Sequence, residues 1–107
     1  MELINTVKGG EKKLTLSIEK INNFSMDDYD FWVELFTTKS NIVTISKNEM
    51  KRDDDSNYII PVETAKIGCG RMKCRVIAHI PDTDFVDKNY RVEIQDFVTN
   101  LNIIERL

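Results

Sequence analysis

The sequence predicts an all-β domain, a small antiparallel sandwich or barrel of about seven short strands. Three observations predict it. Apolar and polar residues alternate with a two-residue period in segment after segment. Turn-forming residues divide these segments at intervals of 8 to 14 residues. No segment combines a helical period with convincing caps.

The elements follow in chain order. Residues 1–12 read as a flexible lead, because Gly9-Gly10 with flanking lysines has little to bury. Residues 13–107 read as a single domain without internal repeat, low-complexity segment or linker. "KLTLSIEKI" sets Leu14, Leu16 and Ile18 on one face against Thr15, Ser17 and Glu19 on the other. "NNFSMDD" is a turn-rich connection. "YDFWVELFTT" carries apolar residues on both faces, Phe31, Val33 and Leu35 against Trp32 and Phe36, and reads as a central strand. "NIVTISK" is a β-branched strand. "NEMKRDDDSN" reads as a charged loop of poor strand propensity. "YIIPVETAKIG" opens as a strand whose Pro61 calls for an edge or a bulge.

"GCG" marks a turn, and "RMKCRVIAHI" has the cleanest alternation in the chain. Met72, Cys74, Val76, Ala78 and Ile80 face the core, and Lys73, Arg75, Ile77 and His79 face away. "YRVEI" repeats the pattern, with Tyr90, Val92 and Ile94 expected inside and Arg91 and Glu93 outside. "LNIIERL" ends the chain as a last strand or a short helical tail.

Composition narrows the function. A chain of 107 residues buries about 65% of its unfolded surface. That supports one core and leaves little room for an enclosed active site. The net charge of -3, with signs mixed in "GGEKK" and "MKRDDD", lacks the basic face of a nucleic-acid binder. No apolar run nears the roughly 20 residues of a membrane span, and "MELINTVKGGEKK" lacks an apolar signal core. Synthesis in a cytoplasm is expected. Cys69 and Cys74 are then free thiols, with Cys74 a small core residue.

The candidate sites are few. Asp82, Asp84 and Asp87 have the spacing D-x-D-x-x-D. A calcium loop counted from Asp82 would need glycine where Asp87 stands, and its closing position falls on Glu93, within a strand. The structural reading is stronger. Pro81 ends the strand, the aspartates bond nearby amides, Phe85 folds back as an apolar plug, and Lys88-Asn89 carries the tip. His79 is the only histidine and sits on a polar face without a nucleophile or orienting carboxylate. Cys69-x4-Cys74 is not a zinc knuckle. Neither Gly9-Gly10 nor Gly68-Cys69-Gly70 has the lysine and following helix of a phosphate loop. No catalytic, cofactor or metal residues are therefore assigned. Trp32, with Phe31 and Phe36 nearby, reads as a core anchor or as a ligand-stacking platform.

The stretch "CGRMKCRVIAHIPDTDFVDKNYRVEI" resembles a recurrent segment in small proteins of phages and prophages of gut Bacteroidetes, including crAss-like phages. There a glycine turn precedes a strand, a Pro-Asp-Ser-Asp-Phe-Pro-Asp-Gly element follows, and the next strand opens Tyr-Arg-x-Glu-Val. Gly68 and Gly70 match the turn. Pro81, Asp82, Asp84, Phe85 and Asp87 match the element, and Tyr90, Arg91 and Glu93 the strand. Thr83 replaces Ser, Val86 departs from Pro, and Lys88-Asn89 departs from Gly. "DYDFWVELFTT" is similar to an early aspartate-aromatic strand of the same proteins.

The resemblance implies an immunoglobulin-like antiparallel β-sandwich and a role in a virion. The implied function is non-enzymatic: a head-fibre, collar or tail-appendage module. Its partners would be a second copy of itself, a dimer first of all, and a capsid, portal-collar or tail protein of the same phage. Trp32, Phe36, Ile103 and Ile104 are the candidate contact residues, and Pro81, Asp82, Asp84, Phe85 and Asp87 form a structural turn. The alternative is a stand-alone sandwich that binds carbohydrate or a host protein through Trp32 or the 51–57 loop.

Overall fold

Eight strands form two layers in the structure, a computed structural model that describes residues 2–107. They are β1 (Ile4–Val7), β2 (Glu11–Ser17), β3 (Asp30–Phe36), β4 (Ile42–Ser46), β5 (Lys51–Asp54), β6 (Asn57–Glu63), β7 (Gly70–Pro81) and β8 (Tyr90–Ile104). Three single turns of 3₁₀ helix, at Met26–Asp28, Lys47–Glu49 and Thr64–Lys66, serve as connections. One sheet has the order β1-β8-β7-β3-β4, and the other β2-β6-β5. All pairings are antiparallel except β1 with β8.

This is the connectivity of an immunoglobulin-like sandwich. β2, β6 and β5 stand as strands B, E and D, and β3, β7 and β8 as C, F and G. Two hallmarks of antibody domains differ. Cys74 lies on β7 with no cysteine opposite it on β2, so no disulfide joins the layers. Trp32 on β3 does not enter the core; Phe31, Val33 and Leu35 do.

The core lies between the layers and follows the alternation. β3 supplies Phe31, Val33 and Leu35, and β7 supplies Met72, Cys74, Val76, Ala78 and Ile80. The three-stranded layer answers with Leu16, Tyr58, Ile60 and Val62. Met26, within the first 3₁₀ turn, and Ile67, just after the third, complete the core. Each large side chain fully buried here contributes about 1.5–3 kcal/mol. Phe31 also meets Tyr29 and Tyr58 edge-on, at centroid distances of 5.9 and 5.2 Å. Pro61 falls on a length of β6 that β5 does not reach, because their pairing stops at Lys51–Ile59. Its missing N–H therefore costs no ladder bond on that side.

Three sequence expectations need correction. The described residues of the segment 1–12 do not form a flexible lead. Ile4–Val7 pairs with Leu101–Ile104 as β1, and Glu11 and Lys12 already belong to β2. Its anchor is Thr6, buried beside Ile103, a polar residue that carries no hydrophobic signal. The "KRDDDSN" stretch is a hairpin arm. β5 pairs with β6 around a turn in which the Asp54 carboxylate accepts from the Ser56 amide at 2.8 Å and from Asn57 Nδ2 at 2.9 Å. Every residue of β5 is exposed, so the sequence shows no alternation there.

The third correction concerns β8, which runs unbroken from "YRVEI" through Ile104. Glu93 stands opposite Ala78 and Arg91 opposite Ile80, whereas Ile94 stands opposite Ile77 and Val92 opposite His79. Residues opposite one another share a face. Arg91, Glu93 and Gln95 therefore lie on the inner face, and Val92 and Ile94 on the outer face, the reverse of the alternation-based expectation. The physical reason is coverage. The three-stranded layer ends at β2, and the start of β8 overhangs it. Between β2 and β8 the layers leave an open groove of about 510 Å³ lined by Leu14, Leu16, Cys74, Phe97 and Thr99. A second groove, of about 310 Å³, lies between Ile18, Ile21, Val76, Glu93 and Gln95.

Candidate interaction surface

The outer face of the five-stranded sheet is built in rows set by strand register. One row runs Ser46, Trp32, Ile77, Ile94 across β4, β3, β7 and β8. The next on one side runs Asp30, His79, Val92, and the next on the other runs Thr44, Glu34, Arg75, Asp96. Beyond that comes Ile42, Phe36, Lys73, Val98. An ionic row thus separates two largely apolar ones. Arg75 forms it, with Nε 2.7 Å from Asp96 and a guanidinium nitrogen 3.8 Å from Glu34. That guanidinium holds the Asp96 carboxyl below its ordinary range.

An aromatic stack crosses the rows at one end. His79 packs face to face on Tyr90 at 4.2 Å and edge-on to Trp32 at 5.0 Å. This explains why a lone histidine sits here: its ring bridges two aromatics on neighbouring strands. Lys88 stands over Tyr90 at 5.1 Å and over Phe85 at 5.7 Å.

The contact residues expected from sequence divide between surface and interior. Trp32 is half-buried on the outer face, and Ile104 is exposed at the end of β8. Phe36 and Ile103 are not available to a partner. The Arg75 guanidinium covers the Phe36 ring at 5.5 Å, and Ile103 is 1% exposed in the core. Sequence reasoning passed over Val92, Ile94, Phe97 and Val98, exposed apolar residues in the first part of β8. Alternation had assigned the first two to the core.

One edge of β8 is also bare. β7 pairs with β8 along nearly its whole length, but β1 covers only Leu101–Ile104. The stretch from Tyr90 to Val98 therefore has backbone groups on its far side with no strand beside them. A bulge marks the boundary. Lys73 pairs with Val98 and Arg71 with Asn102, so Met72 faces three residues, Thr99 to Leu101. The bulge is pinned by Thr99, whose hydroxyl donates to the Met72 carbonyl at 2.8 Å and whose carbonyl accepts from Arg71.

The aspartate turn that precedes β8 is held by one of its three aspartates. One Asp82 carboxylate oxygen accepts from the Asp84 amide at 3.0 Å, as in an Asx-turn, and the other pairs with Arg91 at 2.8 Å. These bonds, Arg91 first, hold the Asp82 carboxyl below its ordinary value. The Asp82 amide bonds the Asn89 carbonyl at 3.0 Å and closes the loop, with Asn89 at a φ of 63° that asparagine tolerates. Among the described residues the carboxylates of Asp84 and Asp87 accept no hydrogen bond and make no ion pair. Phe85 is not a plug; it is 45% exposed beneath Lys88. Pro81 ends β7, opposite Tyr90.

Two other polar clusters are structural. Asp27 accepts from Arg52 Nε at 3.0 Å and from the Tyr58 hydroxyl, tying the connection before β3 to β5 and β6. Burial, and then that bond to Asp27, push the Tyr58 hydroxyl up to about 12. Lys47 Nζ donates to the Tyr29 carbonyl at 2.7 Å and leans on the Phe31 ring at 5.4 Å. The thiols are not activated. Burial pushes Cys74 up to about 11, and the bond to the Glu105 carboxylate raises Cys69. Among the described residues no three His, Cys, Asp or Glu side chains gather as a metal site.

No protein-family model matches the chain, and no curated protein or solved structure shows significant similarity to it.

Proposed function

We propose that this protein is a non-enzymatic assembly module of a phage virion, of the head-fibre, collar or tail-appendage type. It would be made in the bacterial host cytoplasm and incorporated into the particle. One observation carries the assembly part of this reading. The Tyr90–Val98 stretch of β8 combines a bare strand edge with exposed apolar side chains, Ile94 at 61% and Val98 at 56%. Natural sheets defend such edges unless something pairs with them. The virion setting rests on the resemblance of Gly68, Gly70, Pro81, Asp82, Asp84, Phe85, Asp87, Tyr90, Arg91 and Glu93 to the phage segment. The partners are a second copy of this chain and a capsid, portal-collar or tail protein; neither nucleic acid nor membrane is among them. Mass spectrometry of purified particles from a source phage tests the setting. The protein should be recovered in stoichiometric, multi-copy amounts; its absence from particles overturns the proposal.

A second reading has its own observation. The Trp32–His79–Tyr90 cluster offers a partly exposed aromatic surface, its Trp32 ring edge-on to the stacked His79–Tyr90 pair, of the kind that binds sugar rings, as a stand-alone binding module would. A saturable change in Trp32 fluorescence on titration with oligosaccharides, lost in Tyr90→Ala, would favour it over assembly.

A further inference from the structure

We propose that two copies of this chain pair through β8, antiparallel about a two-fold axis at Ile94, joining two five-stranded sheets into one of ten. This deepens the assembly reading above and rests on it for its biological setting.

The choice of edge follows from comparing the strand edges the fold leaves open. β5 is short and charged throughout its "KRDD". The free side of β2 begins Glu11-Lys12-Lys13, and lysines on an edge discourage pairing. β1 and β4, the outer strands of the five-stranded sheet, are only four and five residues long. The free part of β8 is longer and has no lysine. Its charges are already matched within the chain: Arg91 with Asp82 and Glu93, and Asp96 with Arg75. A partner strand would meet neutralised groups.

The register follows from charge and length. A two-fold axis perpendicular to the sheet keeps side chains on their own face, so only registers centred on a residue are allowed. Centring on Glu93 places two glutamates opposite each other, and centring on Asp96 places two aspartates opposite each other; both are unfavourable. Centring on Ile94 pairs Ile94 with itself, Glu93 with Gln95, Val92 with Asp96, Arg91 with Phe97 and Tyr90 with Val98. No like charges oppose. Every residue from Tyr90 to Val98 is used, and the pairing ends where β1 takes over the edge at Leu101. Ile94, the most exposed apolar side chain of the strand, lies on the axis against its own copy. The added strand also covers the seam between β2 and β8 and shelters Phe97 and Leu14.

Crosslinking through one introduced cysteine tests this, in a Cys69→Ser background that keeps only the buried Cys74. Ile94→Cys should form covalent dimers under mild oxidation or with a short bis-maleimide. Val92→Cys and Asp96→Cys should crosslink poorly alone and efficiently when mixed, since each faces the other across the axis. Ile94→Asp should weaken dimerisation at least about tenfold by sedimentation equilibrium while its thermal melt stays cooperative. A dimer that persists in Ile94→Asp, or one in which the 92–96 mixture does not crosslink, overturns the β8 pairing and leaves the assembly function standing. A strict monomer at high micromolar concentration overturns the pairing outright. Absence from particles overturns the virion reading whatever the crosslinks show.

Discussion

The two halves of β8 are one strand with one phase, yet they turn opposite kinds of residue inward. From Leu101 to Ile104, odd-numbered residues point inward and are apolar: Leu101 is 3% and Ile103 1% exposed. From Tyr90 to Val98, odd-numbered residues also point inward, but Arg91, Glu93 and Gln95 are polar. The bulge at Thr99–Asn100 adds two residues and so preserves the phase. The residue pattern changes while the geometry does not. The C-terminal half has β1 beside it and a second layer beneath it. The N-terminal half has no β1 beside it and overhangs the second layer, and its apolar residues, Phe97 apart, collect on the outer face with Ile77 and Trp32. Alternation therefore reports which face of a strand is apolar. Whether that face is the core depends on what covers it.

The largest test of this contrast is a charge placed in each half. Ile103→Asp buries an unpaired carboxylate, at a cost of several kcal/mol, comparable with the whole stability of a small domain. It should give no cooperative transition by circular dichroism. Ile94→Asp, equally drastic by sequence, should melt within about 0.5 kcal/mol of the parent at concentrations where both are monomeric. Milder truncations should preserve the order. Ile103→Ala should cost about 2–5 kcal/mol in denaturant unfolding, and Ile94→Ala should stay within about 0.5 kcal/mol. Equal effects would mean that the N-terminal half is buried after all. Val76→Asp, on the inner face of β7, should behave as Ile103→Asp does, and Arg75→Ala should still fold.

A smaller effect separates the aspartates leading into the open half. Asp82→Asn should lower the melting temperature, whereas Asp84→Ala and Asp87→Ala should leave it unchanged. The pH dependence has a definite sign. The folded Asp82 carboxyl lies below its ordinary value of 3.8, so its stabilisation is complete above that value. It is lost as the pH falls through the lower, folded value. The gap between parent and Asp82→Asn should therefore be constant near neutrality and close in acid. A gap that widens in acid would contradict the Arg91 pairing. The smallest effect lies at the boundary of the halves. Cys74, buried opposite Phe97 with its thiol raised to about 11, should resist thiol reagents at pH 8 until the protein unfolds, while Cys69 reacts. Early labelling of Cys74 would show that the open half frays.

Much of the fold was legible in the sequence. The β7 alternation placed Met72, Cys74, Val76, Ala78 and Ile80 inside, and all are buried. β2, β3, β4 and β6 were also recognisable, and Pro61 sits where its missing donor costs least. β1 and β5 were not legible, because one is anchored by a buried threonine and the other buries nothing. The surface was less legible than the core. Phe36 reads as a contact residue only until Arg75, distant in sequence, is seen to cover it. Val92 and Ile94 read as core until their register with His79 and Ile77 turns them to the outer face, away from the three-stranded layer. Both outcomes depend on long-range pairing and coverage that local periodicity does not encode.

Amide hydrogen exchange of β8 across protein concentration compares its two halves in a single experiment. With β8 pairing to a second copy, the amides of Tyr90–Val98 that point away from β7 gain protection as concentration rises, while those of Leu101–Ile104 are protected throughout. Outward amides of Tyr90–Val98 that exchange rapidly at every concentration, with dimers present by sedimentation, would contradict it.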